Sequence, residues 1–94
     1  MELTWRRLDR ALRGEVVTDG MTVEAAVVFG DGTFGYAVQA YNSHHRVQTS
    51  AGFFPSEMQA KEDVEASAVP RLEAALLALQ VDDPADDVRQ NAAR

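Results

Sequence analysis

Thr22–Tyr41, TVEAAVVFGDGTFGYAVQAY, is the stretch whose reading decides the fold. Asp31-Gly32 sits at its centre, a dipeptide that tolerates the positive φ angles of a two-residue type I′ turn, so the segment reads as a β-hairpin. With Gly30 paired to Thr33, Phe29 falls opposite Phe34, Val27 opposite Tyr36, Ala25 opposite Val38 and Val23 opposite Ala40, all on one side of the sheet. Thr22, Glu24, Ala26 and Val28, with Thr33, Gly35, Ala37, Gln39 and Tyr41, take the other side. A sheet with one apolar face needs a cover, and the amphipathic segment after Ser56 is the obvious one.

The flanking segments share this parity. Asp19-Gly20 is a second tight-turn signal; it pairs Thr18 with Met21 and Val16 with Val23, again on the apolar side. Asn42-Ser43-His44-His45 forms a turn-like cluster before Arg46–Phe53, whose Val47, Thr49, Ala51 and Phe53 face Ala40, Val38, Tyr36 and Phe34. Phe54-Pro55-Ser56 then passes from strand to helix. Ser56 with Gln59 fits a capping box, and Glu57 lies in the first turn, where the helix dipole favours an anion. The buried stripe runs Ala60, Val64, Ala68, Leu72, Leu76, Leu79, flanked by Val69 and Ala75. Pro70 predicts a kink near Ala66–Val69 or a division into two short helices, with the continuity of the stripe favouring the kink.

At the N-terminus, Trp5, Leu8 and Leu12 follow helical spacing behind a Thr4 cap, with Gly14 as the stop, which predicts a helix within residues 3–13. An extended reading that sets Leu8, Leu12 and Val16 on one face stays open. The fold expected is therefore two-layer α+β: an antiparallel meander of three to four strands, covered on one face by a long kinked C-terminal helix and by the N-terminal helix. Residues 1–80 form the single domain, and 81–94 an acidic tail with little to bury.

Composition limits the chemistry. The 94-residue chain has no cysteine, which removes disulfides, thiolate zinc sites and cysteine nucleophiles. No signal-peptide core and no membrane-length apolar run is present, so the expectation is a soluble cytoplasmic protein. The net charge is −6, unevenly spread. Residues 1–13 are basic through Arg6, Arg7, Arg10 and Arg13, while the acidic residues concentrate after Pro55. No nucleotide, serine-hydrolase or metalloprotease motif occurs. His44-His45 would need further ligands for a metal, and adjacent residues of an extended chain point to opposite faces. The acids at Glu62, Asp63 and Glu65 lie on the outer side of a helix, where nothing raises their pKa for acid–base work. No enzyme, cofactor or metal site is expected.

The sheet side away from the helix is small and apolar at its centre and polar at its margin, which suits a contact surface. Ala26, Val28, Ala37, Gln39, Tyr41, Arg46 and Gln48 are the candidate partner-binding residues. The function expected is a non-enzymatic protein-binding module, an inhibitor- or antitoxin-like or phage-type regulator, whose partner presents a basic surface or is a second copy of the chain. The alternatives are a nucleic-acid-binding domain using Arg6, Arg7, Arg10, Arg13 and Arg46, and a small housekeeping protein that self-associates.

The expected order of helix, meander and helix resembles the double-stranded RNA-binding domain. Gly52-Phe53-Phe54-Pro55-Ser56-Glu57, followed by Ala60 and Lys61, is similar to that family's approach to its last helix. The resemblance implies phosphate binding by a lysine cluster at that helix, a place where this chain has Lys61 among Glu57, Glu62, Asp63 and Glu65. The strand-then-helix half also looks like the partial RNA-binding fold of HicB-type antitoxins, without their glycine-threonine step into the helix.

Overall fold

The computed structural model describes residues 2–18 and 20–81. Five antiparallel strands lie side by side in chain order: β1 (Thr4–Leu8), β2 (Ala11–Thr18), β3 (Met21–Gly30), β4 (Thr33–Tyr41) and β5 (Arg46–Phe54). A helix in three parts follows: α1 (Glu57–Asp63), a π-helical turn (Val64–Ala68) and α2 (Val69–Val81). The architecture is α+β, with five strands instead of three to four. Among the described residues no helix is long and apolar enough to cross a membrane. Of the acidic tail expected over residues 81–94, Val81 is the last residue of α2 and the rest lies outside the described residues.

Side-chain parity sets the central register. Val23, Ala25 and Val27 pair with Ala40, Val38 and Tyr36, Val16 pairs with Val23, and Val47 and Thr49 pair with Ala40 and Val38. Asp31 and Gly32 both take positive φ, 54° and 80°, as the two-residue turn requires. The inward residues meet Ala60, Val64, Ala68, Val69 and Leu72 in one buried core.

The predicted N-terminal helix is overturned. Residues 4–18 form a β-hairpin in which Leu8 pairs with Ala11, Arg6 with Arg13 and Trp5 with Gly14. Its turn is Asp9-Arg10, with Asp9 at φ 58°, a left-handed conformation that aspartate tolerates better than most residues. The likeness to the double-stranded RNA-binding domain in element order goes with that helix.

Helix and strand spacings explain why β1 stays on the sheet. Every fourth helical residue advances about 6 Å, close to the roughly 6.6 Å between alternate strand residues. Glu57, Lys61 and Glu65 therefore keep step with Arg7, Trp5 and Leu3. The Arg7 guanidinium binds both carboxylate oxygens of Glu57, one through Nη1 at 2.9 Å. The Lys61 ammonium lies 5.6 Å from the Trp5 ring centre, and the Leu3 N–H donates to Glu65 at 3.2 Å.

Ser56 caps α1, its hydroxyl accepting from the Gln59 N–H at 3.2 Å. Pro70 does not split the helix; the chain accommodates it by widening the turn before it. The Val69 N–H bonds the Val64 carbonyl, a five-residue step. Proline lacks an N–H and its ring crowds the carbonyl four residues back, and a π turn relieves both. The same turn answers the spacing of the stripe. Apolar residues spaced by fours drift about 40° per step around a 3.6-residue helix. The wider turn takes up that drift, and Ala68 and Val69 are both buried. Leu72 and Leu76 are buried as expected, whereas Ala75 and Leu79 are exposed.

The second correction lies at the end of β5. Ala51 faces Tyr36 as expected, but Phe54, not Phe53, faces Phe34, because β5 carries an extra residue against Gly35. Phe53 occupies this bulge at φ 69° and is 90 % exposed. Phe54 turns inward and stacks on Tyr36 with ring centres 5.6 Å apart. A left-handed phenylalanine carries roughly 1–2 kcal/mol of backbone strain that glycine does not, offset in part by the greater freedom of glycine in the unfolded chain. Phe53→Gly is accordingly expected to leave thermal stability unchanged or to raise it slightly, while Phe54→Gly lowers it clearly. Differential scanning calorimetry on the two variants checks this, and a larger loss at Phe53 contradicts the bulge.

Candidate functional site

The helix packs α1 against β3, β4 and β5 and α2 against β4 and β5, which leaves the opposite face of the sheet without a cover among the described residues. Cross-strand pairing lays this outer face out in rows. One row is Leu8, Ala11, Val28 and Gly35; the next is Arg6, Arg13, Ala26, Ala37 and Ser50. Then come Thr4, Glu15, Glu24, Gln39 and Gln48, and last Val17, Thr22, Tyr41 and Arg46.

The seven candidate partner-binding residues all belong to this face. Ala26 and Ala37 floor a shallow depression walled by Arg13, Glu24, Gln39, Gln48 and Ser50. Val28 is 49 % exposed and Leu8, in the same row, 45 %. Glu24 organises the polar side: its carboxylate accepts from the Tyr41 hydroxyl at 2.6 Å and from the Gln39 amide at 3.0 Å. The Arg46 guanidinium rests over the Tyr41 ring, 5.0 Å from its centre.

These contacts hold the Glu24 carboxyl below its usual pKa, the Tyr41 hydrogen bond contributing most, then Gln39, with Arg46 and Arg13 adding attraction. The Tyr41 phenol moves up, chiefly because its proton is shared with Glu24. The network thus presents a fixed negative charge beside two arginines.

The five candidate nucleic-acid-binding arginines are not brought together. Arg6, Arg13 and Arg46 share the outer face; Arg7 points to the helix side and pairs with Glu57, and Arg10 sits in the β1–β2 turn. Leu8 and Ala11 are face residues that the sequence reading missed, because a helix over 3–13 hides their strand parity; Glu15, just past that helix, was read as part of a strand but not placed on the face. The turn-tolerant Asp9 and the alternation of Leu12, Gly14 and Val16 are the signals that could have found them.

At the other end of the sheet the Asn42 side-chain oxygen accepts from the N–H groups of His44 and His45, at 2.8 and 2.7 Å, which fixes that loop. Among the described residues no group of three or more histidine, cysteine or acidic side chains is placed to hold a metal ion. Compared with known protein families, curated proteins and solved structures, the chain matches none.

Proposed function

We propose that the chain is a non-enzymatic protein-binding module, a small regulator of the inhibitor or antitoxin kind, that engages its partner through the outer face of its sheet. The observation that carries this reading is the uncovered face itself: a floor of small residues, Ala26 and Ala37, walled on one side by Glu24 and the Gln39 that it holds, with Tyr41 fixed by the same carboxylate beyond them. Side chains held in place before contact lose less conformational freedom on binding, and a flat floor admits a partner's side chains without rearrangement. The test is affinity capture from the native cell with the intact chain, an Ala37→Arg variant and a Glu62→Lys variant on the exposed side of α1. A partner kept by Glu62→Lys and lost by Ala37→Arg supports the sheet face; a partner that follows Glu62 instead overturns it.

One observation favours a second reading, nucleic-acid binding: Arg6, Arg13 and Arg46 stand on the same face. Each phosphate contact adds roughly 0.7–0.9 to the slope of log affinity against log salt. Fluorescence anisotropy with single- and double-stranded RNA should then show a slope of about 2–3 that falls in Arg13→Gln.

A further inference from the structure

Two adjacent rows of the outer face carry like charges placed directly opposite each other. Arg6 pairs with Arg13 across β1 and β2, and Glu15 pairs with Glu24 across β2 and β3. Facing like charges disfavour a sheet, and among the described residues no ion pair joins the arginine row to the glutamate row. Arg13 reaches Glu24 only by longer-range attraction, so the charges stand in an order that the isolated chain compensates only in part.

We propose that the occupant of this face is a second copy of the chain, packed sheet to sheet about a two-fold axis that lies across the strands between the arginine and glutamate rows. The inference rests on the protein-binding reading above and names the partner. A two-fold axis in that position exchanges the two rows, so Arg13 of each copy lies over Glu15 of the other, with Glu24 alongside. The remaining rows exchange as well. Val28 meets Thr22, and the bare backbone of Gly35 lies beneath Tyr41. The contact is self-complementary, as a closed dimer requires and a head-to-tail chain does not.

Size agrees with this occupant. Five strands spaced about 4.8 Å apart and some eight residues long give a face of roughly 600 Å² per copy. The pair would bury roughly 1,200 Å², the lower end of the range for specific complexes. The expected dimer is therefore a weak, reversible one, held in register by charge and so sensitive to salt.

Sedimentation velocity over a range from about 1 μM to about 1 mM, the span between tight and very weak association, tests it. The unaltered chain should shift from monomer to dimer with concentration, and raising salt should move that shift to higher concentration. The double variants Arg6→Glu/Arg13→Glu and Glu15→Arg/Glu24→Arg, whose two charged rows become all acidic and all basic, should each associate at least ten-fold more weakly. Mixed in equal amounts they should form a heterodimer, a result that also shows both to be folded. A chain that stays monomeric throughout overturns the inference, and so does a dimer indifferent to salt and to both double variants. The salt series needs no variant, so poor folding of either cannot leave the question open. A monomeric chain that still captures a partner lost in Ala37→Arg overturns the self-pairing alone and leaves the protein-binding reading standing. A dimer that Ala37→Arg does not weaken is built on another face and overturns the self-pairing as well.

Discussion

Tyr36→Ala should destabilise the fold by about 3–5 kcal/mol, the range for deleting a large aromatic side chain from a core. Tyr36 is 3 % exposed. Its ring stacks on Phe54, and its hydroxyl donates to the Asp63 carboxylate at 2.6 Å, tying β4 to the end of α1. Tyr36→Phe keeps the ring and removes the bond, and should lose about 1.5 kcal/mol, the lower end for a hydrogen bond to a charged group. Asp63 is half-buried, so water can take over part of the hydroxyl's role. Urea unfolding of the two variants separates ring from hydroxyl; equal losses would refute the division.

The same side chain gives the fold an alkaline limit. Burial first, and then the neighbouring Asp63 carboxylate, push the Tyr36 phenol up to about 12. A phenol kept neutral in the fold stabilises it at every pH below the unfolded value near 10, and that contribution disappears as pH rises from about 10 to about 12. The unaltered chain should lose stability across this window, while Tyr36→Phe, with no proton to release there, should follow a flatter curve.

Gly14→Val should lower stability by about 1–3 kcal/mol, the cost of overfilling a packed site. A Cβ at Gly14 would lie 2.9 Å from Trp5 Cε3 and 3.0 Å from Leu3 Cδ2, too close for the indole and the leucine to remain where they are. Trp5 lies under Lys61, and the backbone of Leu3 is bonded to Glu65, so moving them opens the seam between β1 and the helix. For a domain of this length each kcal/mol corresponds to about 4–8 °C in Tm. Trp5 is the only tryptophan in the chain, and its emission should shift to the red as the ring is displaced. Gly30→Ala, with open space around its Cβ, serves as the control. An unmoved emission maximum in Gly14→Val would refute the packing of Trp5 over Gly14.

The corrections at β1 and β5 have different causes. At the N-terminus the apolar residues are few, and Trp5, Leu8 and Leu12 satisfy a helical period while Leu3, Trp5, Leu12 and Val16 satisfy a strand period. The residue that would settle the alternation is Gly14, which has no side chain to show; Trp5 covers it from the neighbouring strand. At Gly52-Phe53-Phe54, two adjacent aromatics alternate equally well in either phase. Nothing local says which of them faces in; the ring of Tyr36 and the approach to Ser56 select Phe54, and the bulge follows. The candidate partner-binding residues were legible because they depend on the parity of β3, β4 and β5 alone. The opposed charges of Arg6, Arg13, Glu15 and Glu24 were not, because that juxtaposition exists only once β1 and β2 pair.

By itself the sequence determined what alternation and turn chemistry can encode between neighbours: the hairpin at Asp31-Gly32, the register of β3 with β4 and with the end of β2, the Ser56 cap and the stripe the helix buries as far as Leu76. Tertiary structure decided where local patterns are degenerate. It placed β1 on the sheet through the matched spacing of Leu3, Trp5 and Arg7 with Glu65, Lys61 and Glu57, widened the helix ahead of Pro70, and turned Phe53 out. The physical reason is that a period of two or of 3.6 can be read from a few residues only while the side chains carrying it are present and unambiguous, whereas the energy that separates the alternatives lies in contacts between residues far apart in the chain.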